Sequence, residues 1–243
     1  MNGFFSSYPL AESVAVTLAF GISARLLGTV STSGLIGGVV VGSAIYYCAG
    51  WPGFAVLAVF FVLASLLTRL GYRRKSELGA AQDDSGKRGA RHAAANCAAG
   101  VILAAGYKLT GGDTVWAAGF VASFATAAAD TAGSEIGPLY GSRTVLAASF
   151  EKVPPGTSGA VSLEGTAAGI MAALAVAAAA LAVGLLCRVE LVLLVVISAT
   201  VAAWAESILG GIAGIERRLG NEGMNLVNTI VGALLCMAMA VMR

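Results

Sequence analysis

Apolar residues in this chain come in long blocks rather than in alternation with polar ones. Eight blocks stand out, at residues 10–30, 33–50, 52–70, 92–109, 114–132, 161–187, 190–209 and 224–242. Each is close to the ~20 residues an α-helix needs to cross the hydrocarbon core of a bilayer. The Ala-rich run at residues 175–182 favours helix, and no period-two alternation supports a membrane barrel. The pattern predicts an all-α, polytopic transmembrane helical bundle of about eight spans. Seven is the alternative, because Gly28, Gly34, Gly37, Gly38 and Gly42 crowd the first two blocks and only Ser31-Thr32-Ser33 separates them.

Three longer polar stretches interrupt the blocks, at 71–91, 133–160 and 210–223; the other connections are short, as at Gly50-Trp51, Gly111-Gly112-Asp113 and Arg188-Val189. Since consecutive spans alternate in direction, the three long loops are expected on one membrane face. The basic residues test this. Arg69, Arg73, Arg74, Lys75, Lys87, Arg88 and Arg91 belong to the first loop or its edges, Arg143 and Lys152 to the second, and Arg217 and Arg218 to the third. Arg25 lies at the same end, which leaves Lys108, Arg188 and Arg243 for the other face. An excess of Lys and Arg in short loops marks the cytoplasmic side. The expected location is therefore multi-pass in the cytoplasmic (inner) membrane, with these loops in the cytoplasm.

Composition agrees with this reading. Of 243 residues, 58% are hydrophobic and 12% charged, about half the ~25% charge of a soluble domain, and the mean hydropathy is +0.84. The net charge of +2 gives no sign of a nucleic-acid partner. Cys48, Cys97, Cys187 and Cys236 stand singly in apolar surroundings, as small packing residues do. Met1 to Pro9 contains no Lys or Arg, so a cleaved signal peptide is not expected.

Carboxylates inside or at the end of spanning helices are costly and usually functional. Asp130 and Thr131 end the fifth block, with Ser134 and Glu135 just beyond. Glu164 and Thr166 begin the sixth, Glu206 and Ser207 end the seventh, and Asn225 and Asn228 share one helical face at the start of the eighth. All point to the face that carries the long loops. Capping and interhelical hydrogen bonds are the plain explanation for any one of them. Four acids at one depth repel unless a cation joins them, and oxygen-only ligands suit Mg2+. Asp130, Glu135, Glu164 and Glu206 are the expected metal ligands. The second loop contains Val153-Pro154-Pro155-Gly156-Thr157-Ser158-Gly159, where glycines allow close approach to an anion. It is not a P-loop, since Gly86-Lys87-Arg88 lacks the following Ser or Thr and the upstream glycine spacing.

These strings, taken with Gly86-Lys87-Arg88-Gly89-Ala90-Arg91, Ala129-Asp130-Thr131, Ser134-Glu135-Ile136-Gly137, Val161-Ser162-Leu163, Glu206-Ser207-Ile208-Leu209-Gly210 and Asn225-Leu226-Val227-Asn228, resemble a family of integral membrane proteins long classed as a domain of unknown function. Plant phytyl-phosphate kinase of the tocopherol pathway belongs to it. The resemblance covers residues 75–242 as the catalytic core of one transmembrane domain over 1–243, with 1–70 as variable N-terminal spans. It departs at Glu206, where the family pattern has Asp.

The resemblance implies a kinase that phosphorylates a prenyl monophosphate, such as phytyl or geranylgeranyl phosphate, to the diphosphate. CTP is the implied donor nucleoside triphosphate. The residues suit that chemistry, because joining two anions calls for positioning, Mg2+ and cationic side chains more than for a strong base. Asp130, Glu206, Lys87 and Arg88 are the expected catalytic residues. Arg91, Asn96, Thr131, Ser134, Lys152, Gly156, Thr157, Ser158, Gly159, Ser207, Asn225 and Asn228 are expected to hold substrate and phosphate. Three other activities remain open: a prenyl alcohol kinase, a CDP-lipid-forming cytidylyltransferase, and a transporter of a small ion or lipid. Gly165 and Gly169 would support close helix packing within a subunit or in an oligomer.

Overall fold

The computed structural model describes residues 10–79, 81–82, 86–212 and 215–242, without the side chains of Glu216 and Arg217. Met1 to Pro9 and the side chains of Arg217 and Arg243, which entered the sequence reading, lie outside the described residues. The chain is an all-helical bundle. Its elements are α1 (Leu10–Leu26), α2 (Thr32–Arg69), α3 (Tyr72–Glu77), α4 (Ala90–Leu109), α5 (Thr114–Tyr140), a ribbon of β1 (Val145–Leu146) and β2 (Ala160–Val161), α6 (Leu163–Ala182), α7 (Val189–Gly210) and α8 (Ile215–Val241). Among the described residues, α2, α6, α7 and the 24 residues Arg218–Val241 of α8 are long and apolar enough to cross a membrane.

The longest helix is in fact a hairpin. Gly50 sits at φ 65°, ψ −164°, backbone that only glycine enters readily. Pro52 follows it, and a proline fits the first turn of a helix because its missing N–H has no partner to lose there. The two legs, residues 32–49 and 51–69, run back to back. Their far ends meet the same neighbours: a Cβ on Gly34 would press on the backbone of Arg88, and the Arg88 Nη2 donates to Thr68 Oγ1 at 3.4 Å. The apolar blocks 33–50 and 52–70 are thus separate helices, joined by one glycine.

Helix α5 forms the centre. Residues 117–129 are all buried, and the helix packs against α2, α4, α6, α7 and α8. Its Asp113 N-cap accepts hydrogen bonds from the N–H groups of Val115 and Trp116, which satisfies orphan donors of the first turn. Small residues let the backbones close up. A Cβ on Gly169 of α6 would lie 2.9 Å from the Ala129 carbonyl oxygen, so α5 and α6 touch beside Asp130.

Two expected boundaries move. The string from Ala129 to Gly137 is not a loop: α5 runs on through Pro138 to Tyr140. Helix α8 begins before residue 224 but breaks at Gly220 (φ 66°). The second long loop contains the ribbon, in which Val145 pairs with Val161 and Leu146 with Ala160, antiparallel.

Candidate active site

The three long polar segments converge on one end of the bundle. Together they roof a cavity of ≈ 570 Å³. Gly79, Gln82 and Arg88 come from the first segment, Thr144 and residues 156–160 from the second, and Asn221 and Glu222 from the third; α4, α5, α6, α7 and α8 supply the walls.

Each wall follows from local structure. Asp130 is carried by α5, held against α6 by the close approach at Gly169. Its carboxyl group lies beside that of Glu206 on α7. Two carboxyl groups stand this close only with a proton or a cation between them. Arg88 is positioned by its backbone, which pairs with the turn between α1 and α2: its N–H donates to Thr29 O at 3.0 Å, and its carbonyl accepts from Ser31 N at 3.1 Å. The side chain is 8% exposed and lies over the Phe60 ring, 5.9 Å from the centroid. Its Nε–H has no hydrogen-bond partner, and it is within electrostatic reach of Glu135 and Asp130.

The Gly-rich segment is fixed over the end of α7. Ser158 Oγ donates to Gly210 O at 3.1 Å. Gly159 has φ 73°, and a Cβ there would sit 2.7 Å from Ser207 O, so only glycine serves at this position. Thr157 closes the turn through bonds to Pro154 O from both its N–H and its hydroxyl. Thr131 and Ser134 line the α5 wall, Ser207 the α7 wall and Asn225 the α8 wall. Asn96 is buried, lines the cavity, and donates to His92 O at 3.0 Å.

Other expected site residues lie elsewhere. The four acids do not form one metal site. Glu135 lines the cavity but is ion-paired with Lys75, and Glu164 accepts from Ser142 N at 3.0 Å and is not itself part of the lining. Among the described residues, no three His, Cys, Asp or Glu side chains gather as a metal-binding group. Lys87, Arg91 and Lys152 are exposed and do not line the cavity. Asn228 shares a helical face with Asn225 but lies a turn deeper. It is 2% exposed, outside the lining, and neither side-chain polar atom has a hydrogen-bond partner.

The sequence reading missed Lys75. It is fully buried and donates to Leu67 O and Thr68 O at 3.0 and 2.9 Å, as well as to Glu135. This leaves Glu135 Oε1 buried with no hydrogen-bond partner. Thr144, Trp204, Asn221 and Glu222 also line the cavity unannounced. Only Glu222 had a visible signal, as a second acid-bearing turn before the eighth block.

Comparison with known proteins places the chain. It is 36% identical over 201 residues to an uncharacterised membrane protein, sll0875, of Synechocystis, covering 80% of this chain and 76% of that one. It is 34% identical over 232 residues to the chloroplastic protein VTE6 of Arabidopsis thaliana, covering 91% and 69%. An uncharacterised membrane protein of Methanocaldococcus jannaschii, MJ0933, is 28% identical over 227 residues, covering 93% and 92%. No solved structure matches. The family model described as integral membrane protein DUF92 matches residues 15–233, and the chain belongs to that family.

Proposed function

We propose that this protein is a membrane-embedded kinase that transfers a phosphoryl group from a nucleoside triphosphate, CTP before others, to a long-chain isoprenyl monophosphate. Phytyl and geranylgeranyl phosphates are the acceptors in view, and the product is the diphosphate. One observation carries the reading: a carboxyl pair, Asp130 and Glu206, and a buried guanidinium, Arg88, line the same cavity. The resemblance of the loop motifs to the phytyl-phosphate kinase family supports it.

In the reaction, an acceptor phosphate oxygen bonds to the γ-phosphorus as the bond to the leaving nucleoside diphosphate breaks. The acceptor monoester is already ionised at neutral pH, so no strong base is needed. The difficulty is to bring two anions together. Asp130 and Glu206 suit a hard cation, since Mg2+ is usually held by one or two carboxylates plus substrate phosphates; when bound, it would neutralise phosphate charge. Glu206 in place of Asp keeps the charge and lengthens the reach. Arg88 offers its unpartnered Nε–H to phosphate. The Gly156–Gly159 segment, together with Ser134 and Ser207 of the cavity lining, offers small polar surfaces that a triphosphate can approach closely. The excess of basic residues in the loops supports a cytoplasmic orientation for this end of the bundle, where soluble nucleotide is found.

The test is to incubate the purified protein with prenyl alcohols, prenyl monophosphates, four nucleoside triphosphates and Mg2+, and to identify both products. Prenyl diphosphate with nucleoside diphosphate is expected, and removal of Mg2+ should abolish the reaction. Release of pyrophosphate would instead reveal a cytidylyltransferase. Phosphorylation of the alcohol alone would reveal an alcohol kinase, and flux into liposomes without nucleotide a transporter.

A further inference from the structure

A second, narrower cavity of ≈ 80 Å³ opens beside the first. It is walled by apolar faces: Phe20 and Gly21 of α1, Leu35 and Gly38 on the first leg of α2, Phe61 on the second leg, and Ala93 of α4. Along α1 it extends from Ala24 to Thr17 and along the first leg of α2 from Gly34 to Val41. Eight residues of helix, seven steps along its axis, make a slot about 10 Å long. Arg88, His92 and Asn96 line both cavities and mark where they join.

The slot is polar at that junction. Thr17, at the far end, donates its hydroxyl to Ser13 O at 2.7 Å and shares a hydrogen bond with Ser43 Oγ. Arg88 is buried at the junction with its Nε–H unpartnered. The outer edge is open: Gly38 is exposed, and a Cβ there would meet nothing within 4 Å. Its neighbours Ile36 and Val40 are 63% and 66% exposed, the surface a helix presents to lipid. A guanidinium at the mouth of an apolar slot matches an amphiphile whose anionic head adjoins an aliphatic chain.

We propose that this slot seats the apolar chain of the acceptor, with its phosphate at Arg88 and the rest of the chain passing Gly38 into the bilayer. The proposal rests on the kinase reading for the identity of the head group. It gives a use to Gly38, whose missing side chain leaves the outer edge of the slot open.

The experiment uses the full chain in proteoliposomes and a prenyl monophosphate carrying a diazirine in its second isoprene unit. Irradiation should label peptides of α1 and α2, in competition with unlabelled geranylgeranyl phosphate. Labelling near Ile170 and Trp204, on the α6–α7 side of the polar cavity, would overturn the proposal. A second measurement uses Gly38→Leu, which has room to fold. Its KM for geranylgeranyl phosphate should rise about tenfold, the loss of roughly two buried methylenes, with the KM for nucleotide and for isopentenyl phosphate unchanged. An equal change for both chain lengths, or none, would also overturn it. Labelling needs no phosphoryl transfer, so the two readings fail separately. Label in α1 and α2 of a protein inactive toward every prenyl acceptor would keep the slot and sink the kinase. Kinase activity with label in α6 and α7 would do the reverse.

Discussion

Asp130 and the Lys75–Glu135 pair show two ways in which this bundle holds charge. Asp130 stands beside Glu206 at an open cavity, where a cation from solution can join them. Asp130→Asn keeps the shape and removes the charge. Activity should fall at least ~100-fold while the protein still inserts and elutes as the parent does; full activity would remove Asp130 from the mechanism. Lys75 and Glu135 are buried against each other, with side chains 0% and 3% exposed. Breaking such a pair leaves one buried charge uncompensated, at about 3–5 kcal/mol. Lys75→Met should therefore lower the thermal midpoint in detergent sharply, and the double variant with Glu135→Gln should recover most of the loss. A double variant as unstable as the single would show that Lys75 matters through its bonds to Leu67 O and Thr68 O instead. Nothing in the sequence separated Lys75 from Arg73 and Arg74 beside it. Which residue of a basic run turns inward depends on how the six-residue α3 sits on the bundle, and periodicity cannot show that over so short a helix.

At the scale of elements, the hairpin at Gly50 is the sharpest claim. Gly50→Ala forces a side chain into backbone that is nearly glycine-only, at about 1–3 kcal/mol. Thermal unfolding should show that loss, whereas Gly38→Ala, in open space, should be close to neutral. The turn was legible because Gly50-Trp51-Pro52 punctuates the apolar run. The long helices were legible for the same reason, as uninterrupted apolar length. The ribbon was not, since strands of two residues are too short to show alternation. The extension of α5 to Tyr140 was hidden by Gly133, Gly137 and Pro138, which read as loop. Close packing on α6 overrides them: a Cβ on Gly165 would lie 3.0 Å from Gly133 O, so these glycines serve contact rather than a turn.

At the scale of the whole molecule, the cavity was legible as a set of helix ends sharing one face, but its membership was not. The sequence gathers Asp130, Glu206, Thr131, Ser134, Ser207 and Asn225 by depth alone, and the cavity contains them all. Depth does not say which side of a helix a residue occupies. Glu164 shares the depth and misses the cavity, Asn228 lies a turn too deep, and loop cations such as Lys87 and Lys152 extend into solvent. The orientation can be tested in a cysteine-free background with a membrane-impermeant maleimide. Lys87→Cys and Lys152→Cys should react from the cytoplasmic side, and Arg188→Cys from the opposite side only; reaction of all three from one side would break the topology.

The single-glycine turn at Gly50 has a further consequence. The connections at that end of the bundle, residue 50, residues 110–113 and residues 183–188, are all short, so among the described residues these loops offer little for another protein, a protease or an antibody to grip. A regulator of this protein would find its handles at the cavity end, where binding would also cover the mouth of the cavity.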